Sequence, residues 1–231
     1  MKRGLITWNK DELPPEAFES RLARAREVMA EHNVPALVVY SDVFRSNQGR
    51  YFSNYMPYWN RALLVIPLED KPVLLCSLSP RVYPWIKSVT ILEEIKPSPN
   101  LAQRVHELVA ERGWKRIGIL DQDTLPYDLF LELSDLETVD VPYASIRPGP
   151  DHWELAMYAR AESLVREGLA AELPQRTGLP DREFIGRLER RYRRAGAEDL
   201  AIVIRPEGVA VSLEYRGHWV RVNPNGAAEF L

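Results

Sequence analysis

Ile146-Arg-Pro-Gly-Pro-Asp-His-Trp-Glu-Leu155 separates two parts of the chain that have different sequence patterns. Proline lacks a backbone donor and disfavours a helical conformation in the residue before it, so Arg147 to Pro150 cannot continue a regular element. Asp151 can then cap a helix, and Glu154, three residues later, completes a capping box. The apolar spacing predicts a buried stripe on this helix, formed by Leu155, Tyr158, Ala161, Val165 and Leu169. The sequence therefore predicts two domains, residues 1–146 and 147–231.

The composition is that of a globular protein. The 231 residues are 45% hydrophobic and 27% charged, which is enough apolar material for one large or two modest cores. No apolar run approaches the roughly 20 residues that span a bilayer, and the first residues lack the apolar core of a signal peptide. We therefore expect a cytoplasmic protein with no membrane partner. The single cysteine, Cys76, lies in an apolar run and is predicted to be buried in a strand.

The charge distribution does not favour a nucleic-acid partner. The net charge of −3 gives no overall attraction to a polyanion. The most basic run alternates at helical spacing with apolar residues, which is typical of the solvent-exposed face of an amphipathic helix; its arginines are Arg187, Arg190, Arg191, Arg193 and Arg194. We expect no nucleic-acid binding.

The first 145 residues alternate between helical and strand patterns. Helices are predicted over residues 11–32, 100–113 and 126–133, and strands over 36–40, 51–55, 116–120 and 137–141. Residues 62–66 and 72–76 are predicted to pair as an antiparallel hairpin. This alternation predicts an α/β domain with a mixed sheet. Beyond the boundary, two helices at 151–173 and 181–194 precede strands at 200–204, 209–215 and 218–222.

Several motifs resemble those of one enzyme family. Phe18-x-x-Arg-Leu-x-x-x-Arg26, Tyr51-Phe-Ser-Asn-Tyr55 and Lys71-Pro-Val-Leu-Leu75 resemble the N-terminal domain of creatinase, prolidase and aminopeptidase P. Arg194-Ala-Gly-Ala-Glu198 and Glu214-Tyr-Arg-Gly-His-Trp219 are similar to the start of the family's pita-bread catalytic domain. The resemblance implies a creatinase-type N-terminal α/β domain with a mixed sheet, followed by a truncated α+β pita-bread-like remnant.

The resemblance also carries an expectation about metals. Metallopeptidases of this family hold two divalent ions with two Asp, one His and two Glu. Ala210 and Arg221 stand at the positions of the two Asp, and the other three ligands would come from strands later than Leu231. We therefore expect no intact divalent-metal site and no cofactor.

Residues on the Glu214–Trp219 motif are the candidates for a site. A metal-free branch of the family uses a histidine as acid and base, so His218 is the candidate catalytic residue, although a structural role on its strand is the plainer interpretation. A small-molecule ligand in a cleft between the domains is a further possibility, with an anionic group meeting Arg221. The candidate binding residues are Glu214, Tyr215, Trp219 and Arg221.

Two functions from different classes follow. The first is a catalytically inactive, metal-free relative of the Xaa-Pro peptidases that binds or assembles, as a homodimer or with a full-length metallopeptidase paralogue. Its interface would use a cluster of exposed aromatic residues and the two arginines that bracket it: Tyr51, Tyr55, Tyr58 and Trp59, with Arg50 and Arg61. The alternative is an aminopeptidase P-, prolidase- or creatinase-like hydrolase whose site is completed by another chain or by non-standard residues.

Overall fold

A computed structural model describes residues 7–57 and 59–231. These residues form two compact units, and the chain passes from the first to the second between Gly149 and Pro150. In the described part of the chain, no helix has the length and apolar character needed to cross a bilayer.

The first unit is built on a six-stranded mixed sheet with the strand order β4-β3-β2-β1-β5-β6. Strand β2 runs antiparallel to β1 and β3, and the other neighbours pair in parallel. The carboxyl ends of all strands except β2 therefore lie at one edge of the sheet. The strands are β1 Ala36–Ser41, β2 Ala62–Pro67, β3 Val73–Cys76, β4 Glu94–Pro97, β5 Arg116–Leu120 and β6 Glu137–Val141.

Helices cover both faces of this sheet, and each face has its own apolar cluster. Every residue of β1 and β2 is buried, which explains why these strands are apolar without alternation. The predicted antiparallel hairpin of β2 and β3 is confirmed, and Cys76 is buried as predicted. The helices are α1 Pro15–Glu31, α2 Asn47–Ser53, α3 Tyr83–Val89, α4 Leu101–Arg112, α5 Tyr127–Glu132 and α6 Tyr143–Ile146.

The predicted strand at residues 51–55 is wrong, because this segment ends helix α2. Asn54 terminates the helix in the left-handed conformation, with φ of 62°, and its Nδ2 donates to the carbonyl of Val89 at 2.9 Å. Arg21 Nη1 donates to the carbonyl of Tyr51 at 3.0 Å. These tertiary contacts outweigh the strand preference of the aromatic residues. Helix α3 and strand β4 are two further elements that the sequence patterns did not predict.

The second unit packs two helices against one face of an antiparallel sheet with the order β10-β9-β8-β7. The capping box is confirmed: Glu154 N donates to Asp151 Oδ1 at 2.8 Å, and Asp151 N donates to Glu154 Oε2 at 3.0 Å. Strand β10 was not predicted. The elements are α7 His152–Glu172, α8 Asp181–Arg194, β7 Asp199–Arg205, β8 Gly208–Tyr215, β9 His218–Val222 and β10 Ala228–Phe230.

The buried stripe of α7 differs from the predicted one at its first member. Leu155 is 47% exposed, whereas Tyr158, Ala161, Val165 and Leu169 are buried as predicted. Glu154, which closes the capping box, takes a place on the buried face instead.

Candidate functional site

The β8–β9 hairpin, residues 208–222, contains most of the candidate site residues. Its turn residues Arg216 and Gly217 both have positive φ, 52° and 84°, as a type I′ hairpin turn requires. Tyr215 pairs with His218, and Glu214 pairs with Trp219. Because side chains alternate across a strand, these two pairs point to opposite faces of the sheet. One face carries Tyr215 and His218 toward α7, and the other carries Glu214, Trp219 and Arg221.

His218 uses both of its ring nitrogens inside the second unit. Nδ1 lies 2.9 Å from the carbonyl oxygen of Arg216, which can only accept, so Nδ1 carries a proton. Nε2 lies 3.6 Å from Glu154 Oε1, and the imidazole is 11% exposed. The ring makes an edge contact with Tyr158 at 5.0 Å, and Tyr158 stacks on Phe230 at 4.9 Å. This geometry is that of a histidine that joins the hairpin to α7.

Three glutamates are buried around the same hairpin: Glu154, Glu198 and Glu214. Glu198 holds the turn, since its Oε2 accepts from Gly217 N at 3.2 Å and its backbone N–H donates to the carbonyl of Glu214 at 2.9 Å. Sequence reasoning assigned no role to Glu198, although its place in the motif Arg194–Glu198 was a usable signal. Glu154 lies on α7, more than 50 residues before the hairpin in sequence. No local sequence pattern therefore reveals that its carboxylate lies beside His218.

Ala210 and Arg221, which stand where the family resemblance places two metal-binding aspartates, do not provide ligands. Ala210 has no donor atom, and its side chain is buried. Arg221 carries a positive charge; its Nε donates to Ser212 Oγ at 3.2 Å, and its Nη1 lies 3.8 Å from Glu229 Oε2. Within residues 7–57 and 59–231, no group of three or more His, Cys, Asp or Glu side chains is arranged to hold a metal ion. The side chains of Ala210 and Arg221 therefore do not fit the two divalent metal ions that the family resemblance implies.

The hairpin does not bring the predicted binding residues together on one surface. Tyr215 and His218 face the core shared with α7, whereas Trp219 and Arg221 lie on the opposite face. Glu214 is fully buried beside Trp219.

Some of the predicted interface residues are buried and others are exposed. Arg50, Tyr51 and Tyr55 are at most 9% exposed, so the expectation that they lie on the surface is wrong. The helical turn of α2 and the bond from Arg21 draw them into the core. Tyr58 lies outside the described residues. Trp59 is 73% exposed, and the Arg61 side chain is about half exposed.

Trp59 is one of three exposed aromatic side chains on segments at the carboxyl edge of the first sheet, Phe44, Trp59 and Tyr127, which we call the aromatic patch. Phe44 and Tyr127 are 89% and 74% exposed. Two bonds hold the segments that carry these rings: Arg45 Nη1 donates to the carbonyl of Thr124 at 2.7 Å, and Arg61 Nη1 donates to Asp128 Oδ2 at 2.6 Å. The patch therefore combines three exposed rings with fixed charges of both signs.

Asp42 orders the loop that presents Phe44. Its Oδ1 accepts from the backbone N–H groups of Phe44 and Arg45, both at 2.7 Å, and its Oδ2 accepts from Tyr40 Oη at 2.9 Å. Burial works against the charged carboxylate, but the bonds from Arg45, Tyr40 and Phe44 dominate and hold the pKa of Asp42 below its ordinary value. The loop is thus fixed by an ionised side chain.

A comparison with protein families matches residues 21–145 to the creatinase/prolidase N-terminal domain. The chain belongs to this family. The match covers more than half of the chain and coincides with the six-stranded sheet and its helices, so the creatinase/prolidase N-terminal domain is the first unit described above. The resemblance inferred from the sequence motifs is confirmed. A search of curated protein sequences found no match.

Solved structures of Xaa-Pro peptidases share the fold of this creatinase/prolidase chain at low sequence identity. The prolidase from Pyrococcus horikoshii OT3 has a TM-score of 0.68 and 17% identity over 92% of this chain and 64% of its own. The Xaa-Pro dipeptidase from Bacillus anthracis has a TM-score of 0.65 and 17% identity, over 88% of this chain and 64% of its own. The X-Pro aminopeptidase from Thermotoga maritima MSB8 has a TM-score of 0.66 and 15% identity, over 84% of this chain and 63% of its own. The chain spans less than two thirds of the length of these proteins.

Proposed function

We propose that this protein is a binding and assembly relative of the Xaa-Pro peptidases that does not use their two-metal hydrolysis. The observation that carries the proposal is Arg221, held by Ser212 and Glu229 at a position where the family resemblance places a metal-binding aspartate. A guanidinium has no lone pair to offer a cation and repels it electrostatically. Ala210 supports the same conclusion, since a methyl group cannot be a ligand.

The aromatic patch supports assembly as the retained role. Tryptophan, tyrosine and arginine are enriched among the residues that contribute most to binding energy in protein interfaces, and large exposed apolar patches mark such surfaces. We infer a second copy of this chain as the occupant. Arg45 is paired with Asp42, and Arg61 is paired with Asp128. Each copy therefore brings charges of both signs to a two-fold contact, where opposite charges of the two copies can face each other. The loop ordered by Asp42 limits the entropy lost on binding.

Metal content and peptidase activity test the first part of the proposal. Protein purified without chelators is analysed for manganese, cobalt and zinc, and the same sample is assayed for cleavage of an Xaa-Pro dipeptide. We expect substoichiometric metal and no cleavage. Two tightly bound ions per chain together with cleavage would overturn the proposal and favour the hydrolase, with ligands supplied by other residues or another chain.

Solution mass tests the second part. Light scattering of the full chain should give a dimer, and Phe44→Ala and Trp59→Ala should each shift the mass toward the monomer. Leu155→Ala, which removes an exposed apolar side chain of α7, is the control and should leave the dimer intact. A monomeric wild type, or patch variants with unchanged mass, would refute self-association through this patch.

A further inference from the structure

An open groove of about 610 Å³ lies between α7 and α8 in the second unit. Its floor includes Gly168 and the fully buried Tyr192, which pack so closely that a Cβ at residue 168 would lie 2.1 Å from Cε1 of the ring. Tyr192 Oη donates to the carbonyl of Val165 at 3.1 Å, which fixes the ring. The groove therefore has a rigid floor and the size of a small-molecule site.

The walls of the groove carry an excess of positive charge. Helix α8 contributes four arginines, which lie on one helical face at spacings of three and four: Arg187, Arg190, Arg191 and Arg194. Helix α7 contributes two carboxylates, and both have partners. Glu172 accepts from Arg191 Nε at 2.9 Å, and Glu167 accepts from Ser163 Oγ at 2.6 Å. Two more guanidiniums than carboxylates therefore line the groove.

Arg190 and Arg194 are the two guanidiniums available to a ligand. Arg187 is paired with Glu183 at 2.8 Å, whereas neither Arg190 nor Arg194 forms an ion pair with any residue in the ranges 7–57 and 59–231. Like charges four residues apart destabilise a helix. The helix dipole stabilises a cation in the last turn, where Arg194 lies, but Arg190 precedes that turn. An anion bound between the two side chains would relieve this repulsion.

We propose that the groove binds a small polyanion whose phosphate or carboxylate oxygens are held by Arg190 and Arg194. A guanidinium presents planar N–H donors that match both oxyanions in a bidentate fashion. The fixed ring of Tyr192 gives the groove a rigid floor, and the neighbouring Arg187 and Arg191 are held in place by Glu183 and Glu172. This inference does not depend on the proposed assembly role.

Isothermal titration of the full chain with inorganic pyrophosphate and, separately, with citrate tests the proposal. Arg190→Gln and Arg194→Gln should each weaken binding roughly tenfold, because each removes charge-assisted bonds to the anion. Arg182→Gln is the matched control: it removes the same charge from an exposed position of α8 that does not line the groove. All three positions are exposed, and circular dichroism checks that the variants stay folded.

The two probes separate the possible ligands. Binding of pyrophosphate alone assigns a phosphate ligand, binding of citrate alone assigns a carboxylate ligand, and binding of both assigns a general oxyanion site. If neither probe binds the wild type, or if Arg182→Gln weakens binding as much as the groove variants do, the proposal is overturned.

Discussion

The contact between Gly168 and Tyr192 shows how a single residue sets the distance between two helices. Glycine in the middle of a helix normally weakens it, yet at this position any side chain would meet the buried ring of Tyr192. The glycine is therefore explained by close packing of α7 on α8. Gly186 on α8 differs, because a Cβ there would meet only the flexible end of Arg190, at 3.4 Å.

Alanine at these two glycines should change stability in opposite directions. Gly168→Ala forces the Tyr192 ring to move, and such overpacking costs about 1 to 3 kcal/mol, more than the helix propensity of alanine returns. Gly186→Ala should raise the free energy of unfolding by up to about 1 kcal/mol. Denaturant unfolding of both variants measures the difference, and equal stabilisation by the two would contradict the packing interpretation.

Tyr40 should make stability depend on alkaline pH. Burial, followed by the bond to Asp42, raises the pKa of Tyr40 to about 12 from 10.0. Between these values the folded state keeps a proton that the unfolded state has released. The stabilisation is therefore complete below pH 10 and is lost as the pH rises toward 12.

Comparison with Tyr40→Phe isolates this effect from the other tyrosines. The wild type should lose about 2 kcal/mol more than the variant when denaturant unfolding is repeated below pH 10 and again close to pH 12. Parallel pH profiles for the two proteins would show that Tyr40 does not titrate as described.

At the scale of elements, sequence patterns predicted structure where the determining contacts are local. Asp151 and Glu154 lie three residues apart and predict the start of α7, and Gly217 indicates the β8–β9 turn. The strand prediction for residues 51–55 failed because Arg21 and Val89, which fix the end of helix α2, are about 30 or more residues away in sequence. The contact of His218 with Glu154 was equally hidden, since it depends on how α7 packs against the sheet.

The end of α2 gives a prediction at this scale. Asn54→Ala should lower the free energy of unfolding by about 2 to 3 kcal/mol, because it removes the bond to Val89 and because alanine tolerates the left-handed conformation less well than asparagine. Asn54→Gly also removes the bond, but glycine adopts the left-handed conformation without steric cost, so this variant should lose about 1 kcal/mol less. Thermal and denaturant unfolding compare the two, and equal losses would exclude a contribution from backbone strain.

At the scale of the whole molecule, the division at Gly149 and Pro150 predicts that the first unit folds alone. It has an apolar cluster on each face of its sheet, and each cluster draws on residues of this unit. A fragment of residues 1–149 should unfold in one cooperative transition.

Cys76 provides a direct readout of that fragment. It is the single cysteine of the chain and is fully buried in β3. Its thiol should resist a thiol-specific reagent under native conditions and react rapidly after addition of denaturant, as it should in the full chain. Rapid labelling of the native fragment would mean that its core does not form without the second unit.

The pairing of Arg221 with Glu229 bears on how readily evolution could restore metal binding. The two residues face each other across β9 and β10, so Arg221→Asp alone would set two carboxylates side by side. Ala210→Asp alone would bury a charge at a position that is 6% exposed. Each single step lowers stability before any ion could compensate for it. Under the proposed function, a lineage at this point faces a fitness valley, and the loss of hydrolysis becomes difficult to reverse.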